Sequence, residues 1–215
     1  MIPSALYSRI LPYVPGCPEP TVDLAVMDAA TEFAERSQID FTIEAPVALQ
    51  ANVATYTVDP RTGLDVSMVR EVYCGTRELI VVPSAAALRD KLPSWQTAAS
   101  NEPTHYSCFG APGTITVYPT PALVSTETLR IVASWLPGFG ANVLPDELGH
   151  RYARDLAEGA KARLMLMPDR KWTNLPLAGV CQGKFDTAVN DARIRALHGK
   201  AAGSIYVRPR QFGRT

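Results

Sequence analysis

The sequence predicts an α+β protein: a helical bundle of three main helices, an inserted antiparallel β-sandwich or barrel-like domain, and an extended C-terminal arm. Apolar residues recur at spacings of three and four in three separate stretches, which marks helices with one buried stripe. Between the first and second of these lies a block of short segments rich in Val, Ile, Thr and Tyr, bounded by Pro and Gly turns. Strands and helices do not alternate through the block, so a doubly wound parallel sheet is not expected.

The opening carries Pro3, Pro12, Pro15, Pro18 and Pro20 and is expected to be extended and turn-rich. The first helix then starts near Pro20 or Thr21, with Asp23 in its first turn. Its apolar stripe is Val22, Ala25, Val26, Ala29, Ala30, Phe33 and Ala34, and Asp28, Glu32 and Glu35 define a wet face. Strand candidates follow at 39–45, 51–58, 64–74 and 78–83. The turns Asp59-Pro60-Arg61-Thr62-Gly63 and Cys74-Gly75-Thr76-Arg77 suggest two hairpins. A short helix from Ser84 to Leu92 is capped by Ser84 and stopped by Pro93. Three more strands are expected near 104–109, 113–118 and 128–135, giving about seven in all.

A second long helix is predicted from Pro145 to about Met167, on Leu148, Tyr152, Leu156, Ala160, Leu164 and Met167. A third runs from about Leu175 to His198 on Ala178, Cys181, Phe185, Ala188, Ala192 and Arg195, and Gly199 ends it. One helix cannot bury its stripe alone, so the first should pack on the last two with the β-block projecting as an insertion. The expected units are 1–37, 38–140, 141–199 and an arm at 200–215. In the arm, Ile205, Tyr206, Val207 and Phe212 are interleaved with Arg208, Arg210 and Arg214, an apolar and cationic mixture suited to docking.

Bulk numbers narrow the function classes. With 47% hydrophobic and 20% charged residues over 215 positions, the chain has an ordinary globular composition. Runs such as Leu79-Ile80-Val81-Val82 are far shorter than the roughly 20 apolar residues of a bilayer span, so a soluble protein is expected. Met1 to Val14 holds one basic residue and two prolines and lacks a secretory layout, so assembly in a cytoplasm is expected. Cys17, Cys74, Cys108 and Cys181 are too widely spaced for a zinc motif or a dense disulfide frame. The formal net charge is zero but unevenly spread. Residues 1–50 hold seven acids against two bases, whereas residues 192–215 hold six bases and no acid. Opposite charge at the two ends favours stacking of copies, although each end can equally be a solvated face.

Chemistry-bearing motifs are sparse. Glu147 and His150 form one E-x-x-H pair without the second that a di-metal bundle needs, so neither metal nor cofactor is expected. Gly179-Val180-Cys181-Gln182-Gly183-Lys184 has three residues between its glycines where a phosphate loop needs four, and Phe185 follows instead of Ser or Thr. Gly138-Phe139-Gly140 lacks a third dinucleotide-loop glycine, and there is no G-x-S-x-G elbow. His105 and Cys108, three apart on a strand, fall on opposite faces. Trp95, Trp135 and Trp172 read equally as core plugs or subunit-contact anchors. No catalytic residue is assigned.

Several phrases, in order, carry a resemblance. They are Leu11-Pro12-Tyr13-Val14-Pro15-Gly16-Cys17-Pro18, Asp28-Ala29-Ala30-Thr31-Glu32-Phe33-Ala34-Glu35-Arg36-Ser37, Leu92-Pro93-Ser94-Trp95 and Pro103-Thr104-His105-Tyr106. Ile115-Thr116-Val117-Tyr118-Pro119-Thr120-Pro121 and Leu156-Ala157-Glu158-Gly159-Ala160-Lys161-Ala162-Arg163-Leu164 complete the series. Together they resemble the head-to-tail adaptor, or connector, proteins of tailed bacteriophages. The resemblance implies a structural virion protein of the neck, not an enzyme, in a homo-oligomeric ring of about twelve copies. It implies that Ile205 to Arg214 reach a portal protein, that the lower face receives a tail tube or nozzle protein, and that double-stranded DNA passes without sequence-specific binding. Two other classes stay open: a hydrolase with its site in the β-block, and a small-ligand or carbohydrate-binding β-module using Tyr73, Trp95, Tyr106 and Tyr118.

Overall fold

The computed structural model describes residues 1–39, 41–44, 46–58, 62–123, 127–138, 140–141 and 143–198, and for residues 41–43, 147, 197 and 198 the backbone only. Within these residues the protein is mixed α+β, with six helices and two mainly antiparallel sheets, neither closed into a barrel.

The opening departs from the extended conformation expected of it. Pro3–Leu6 and Leu11–Tyr13 form 3-10 turns on either side of helix α1 (Tyr7–Ile10). Pro3 and Pro12 stand in the first turns of those pieces, where a missing N–H breaks no bond. Leu6, Ile10 and Val14, four apart, are buried together in the helical core. Helix α2 (Glu19–Ser37) begins slightly before the expected start, with Pro20 in its first turn. All seven residues of its predicted stripe are buried. It ends where Gln38 turns left-handed (φ 53) and its N–H bonds the Ala34 carbonyl.

The helix predicted to run unbroken from Pro145 to Met167 is two helices, α4 (Asp146–Arg151) and α5 (Ala153–Met165). Tyr152 separates them with φ −115 and ψ 18, and its ring packs 4.8 Å from that of Phe33. Leu148, Tyr152 and Leu156 are all buried, so the stripe continues through the break and spacing alone does not reveal it. Helix α6 (Leu175–His198) matches its predicted span, although Val189 is buried where Ala188 was expected and Arg195 is exposed.

Helices α2, α5 and α6 pack pairwise around one core. Gly159 sits at their closest approach: a Cβ there would lie 2.5 Å from a ring carbon of Phe185 on α6 and 3.2 Å from Cβ of Ala29 on α2. Glycine in mid-helix costs about 1 kcal/mol of propensity, and this approach explains its presence.

The first sheet contains β1 (Phe41–Ile43), β2 (Val47–Ala48), β4 (Leu64–Cys74), β5 (Arg77–Glu78) and β9 (Thr128–Pro137). Its order is β1-β9-β4-β5, and β2 continues along the β1 edge of β9. The second sheet contains β3 (Thr55–Thr57), β6 (Ile80–Val81), β7 (His105–Ser107) and β8 (Thr114–Tyr118), in the order β3-β8-β7-β6. Its β6–β7 pair is parallel, against the antiparallel expectation. Strands from both sheets share a second apolar core around Trp135, Ile131, Leu129, Ile115, Val117 and Tyr56. The short helix α3 (Ala85–Lys91) is capped as predicted, by the Ser84 hydroxyl accepting from the Ala87 N–H.

One of the two expected hairpins is present. Cys74 to Arg77 joins β4 to β5, with Gly75 at φ 59. The turn at 59–63 instead joins strands of different sheets, and its residues 59–61 lie outside the described ones. The candidate strand at 78–83 is also divided. The Leu79 N–H bonds Val72 in the first sheet, the Ile80 N–H bonds Thr104 beside β7, and the chain crosses between sheets there.

Candidate functional site: charged surfaces of the helical core

The arm residues Ile205, Tyr206, Val207, Arg208, Arg210, Phe212 and Arg214 lie outside the described residues. The enzymatic candidates are dispersed. Among the described residues no group of three or more His, Cys, Asp and Glu is placed to hold a metal ion. His150 is exposed, and Glu147 is described in its backbone alone. His105 meets the Thr104 hydroxyl at 2.7 Å, and burial, then the Lys91 charge, lowers its pKa below the ordinary imidazole value. Cys17, Cys74 and Cys181 are buried, and burial raises each thiol, so all three are protonated packing groups. Cys108 is exposed.

The aromatic residues are largely internal. Trp135 is 1% exposed and is the largest side chain of the two-sheet core. Trp95 packs edge-on against Tyr118, with centroids 5.7 Å apart. Tyr106 is buried and its phenol is pushed up to about 12 by burial. Tyr73 donates to Glu71 at 2.8 Å. Trp172 packs against the helical core, and its indole N–H has no hydrogen-bond partner among the described residues.

The helical core carries three charged features that the sequence pattern foreshadowed only in part. The first is a clasp. Arg36 donates to Glu32 at 2.6 Å and to Asp186 at 2.7 Å, and Arg163 pairs with the other Glu32 oxygen. One carboxylate of α2 thus joins α2 to α5, while Arg36 joins α2 to α6, so Glu32 is a bridging group and not a wet-face residue. The Asp186 and Glu32 hydrogen bonds raise the Arg36 pKa.

The second feature is a basic notch of about 470 Å³ between the opening segment, α5 and α6, lined by Arg9, Tyr13, Arg154, Glu158, Lys161 and Lys184. Lys161 is 5% exposed, donates to Glu158 at 2.6 Å and stands 4.3 Å from the centroid of the Tyr13 ring. The second Glu158 oxygen is buried, faces Lys184 at 4.0 Å and lies beside the Cys181 thiol. Burial disfavours the Glu158 carboxylate, but the hydrogen bonds from Lys161 and Cys181 and the charges of Lys161 and Lys184 outweigh it and hold its pKa below the ordinary value. The i, i+3 spacing of Glu158 and Lys161 was visible in the sequence. Their burial was not, because it depends on the α1 region lying over α5.

The third is an acidic groove of about 940 Å³ between the outer face of α2 and the chain leaving β9. Leu24, Met27, Leu136 and Pro137 give it apolar walls, and Asp23, Asp28, Glu32 and Glu35 line it along α2. Asp23 accepts from Tyr7 at 2.9 Å, and burial followed by Asp23 pushes the Tyr7 phenol up to about 12. Asp28 and Glu35 are exposed. Leu24 is 62% exposed on this otherwise polar face, and its position outside the Val22–Ala25–Val26–Ala29 stripe is the one signal in the sequence that could have marked it.

No family model matches the chain, and no curated protein matches it in sequence. No described helix is long and apolar enough to cross a membrane.

Proposed function

We propose that this chain is a structural ring subunit, the head-to-tail adaptor of a tailed bacteriophage, located in the virion neck and not acting as an enzyme. In this reading α2, α5 and α6 are a bundle, the two sheets are a sandwich-like domain inserted at 38–140, and residues 200–215 are a docking arm. About twelve copies close into a ring. The arm engages a portal protein, the opposite face receives a tail tube or nozzle protein, and DNA passes through the ring without sequence-specific contacts.

The observation that carries the reading is the sharing of one core by α2, α5 and α6, although the whole β-block separates α2 from the other two in sequence. The acid-rich residues 1–50 and the base-rich residues 192–215 are complementary in charge, which favours contacts between copies. Near-neutral net charge suits a channel that lets DNA slide.

Deleting Lys200 to Thr215 is expected to leave a folded protein that no longer joins portal rings in a pull-down; normal attachment by the shortened chain would refute the role of the arm. Native mass measurement alone and with a portal protein tests the rest. A large ring supports the adaptor, and a persistent monomer that binds sugars or turns over an ester supports the two competing classes.

A further inference from the structure

We infer that the acidic groove along α2 is the seat for the basic C-terminal segment of an adjacent copy of this chain, an inference that rests on the ring reading above.

The groove has the make-up of a peptide-docking surface, with apolar walls and a charged rim. Leu24 stands 62% exposed one turn from Asp28, and Glu35 follows two turns after Asp28 on the same face, both acids exposed. The nearby charges Glu32 and Arg163 satisfy one another, and Asp28 and Glu35 are the exposed acids of the rim on α2. The complementary chemistry is present once in this sequence. Residues 200–215 carry Lys200, Arg208, Arg210 and Arg214 with no acid, and intersperse Ile205, Tyr206, Val207 and Phe212. Arginines match carboxylates with paired donors, and the apolar residues match Leu24 and Leu136.

Length allows the segment to reach a neighbour. The seventeen residues after His198 can span roughly 55 Å when extended, ample for an adjacent copy. Ala192 is the last buried residue of α6 among those whose side chains are described, and Ile194 is 52% exposed between Arg193 and Arg195. The last described turn of α6 is therefore exposed from Arg193 to Arg195. Each arm in the next groove is a heterologous contact, the type that closes rings. Portal docking then has to displace the arm from the groove.

Charge reversal tests the pairing. Full-length R208E/R210E has an arm of reversed charge and an unaltered groove, and full-length D28K/E35K has the converse. Each alone is expected to stay monomeric in sedimentation, and their mixture, in which every arm meets a groove of opposite charge, is expected to form mixed oligomers. A labelled wild-type peptide of residues 200–215 should bind R208E/R210E, and adding D28K/E35K to that receiver should weaken binding at least about tenfold. The peptide carrying R208E/R210E should in turn bind the D28K/E35K protein. Circular dichroism melts of the variants should match wild type, which separates lost docking from lost folding. Peptide binding indifferent to the α2 reversals overturns the inference, as does a mixture that stays monomeric. Ring formation by D28K/E35K alone overturns the groove and leaves the adaptor reading intact, whereas a wild-type chain that is monomeric alone and with a portal protein overturns both.

Discussion

Gly159 shows how one residue sets the distance between helices. Replacing it with alanine gains roughly 1 kcal/mol of helix propensity but forces a methyl into the Phe185 ring and against Ala29, an overpacking cost of about 1–3 kcal/mol. Overpacking outweighs the gain in propensity, so Gly159→Ala is expected to lower the urea midpoint, and an unchanged or higher midpoint would show that the α5–α6 contact relaxes freely. Buried ionisable groups make a second residue-scale prediction. The pKa values of Glu158 and His105 are both lowered in the folded protein, so the unfolded chain binds more protons and stability falls as pH falls. The His105 contribution is complete above the ordinary imidazole value of 6.5 and is lost through the lower folded value; the Glu158 contribution is lost next, below 4.5. Asp155, raised by burial, acts in the opposite sense, its contribution fading as pH rises through its folded value. Thermal melts from pH 7 downward should show the decline, and His105→Gln should remove its first part. A first part that persists in that variant would assign it elsewhere.

At the scale of elements, legibility followed how local the determining forces were. Helices α2 and α6 and strand β4 were readable almost to the residue, because each has a long periodic or β-rich run ended by local signals. The Ser84 cap is equally local, and Ser84→Ala is expected to cost about 1 kcal/mol in α3, seen as faster amide exchange over residues 85–91. Short strands were harder to read. Strand β2 has two residues and exists because β9 offers an edge, and β6 runs parallel to β7 because the chain changes sheets at Leu79. Strand β9 is buried over five successive residues, Ile131 to Trp135, since the second sheet packs near one face and α2 near the other. Trp135→Ala should therefore cost about 3–5 kcal/mol in chemical denaturation, whereas a loss near 1 kcal/mol would mean that the core collapses around the gap.

For the whole molecule, two large cores and a small third around Val82, Leu88 and Tyr118 lie among the described residues, and the last buried residue among them is Ala192. A chain ending at residue 199 is thus expected to keep its unfolding free energy within about 0.5 kcal/mol of the full chain. A larger drop would place the arm within its own subunit and remove the support for docking on a neighbour. By itself the sequence determined the three helical stripes, the β-block between them, the Ser84 cap and the charge asymmetry of the two ends, because spacing, capping and charge are properties of neighbouring residues. Only the tertiary structure decided that Tyr152 breaks a continuous stripe, that β3 and β4 part into different sheets, that Glu32 bridges helices, and that Leu24 lies exposed within an acidic groove. Each of these depends on which distant surface arrives, and no local pattern along a chain encodes that arrival.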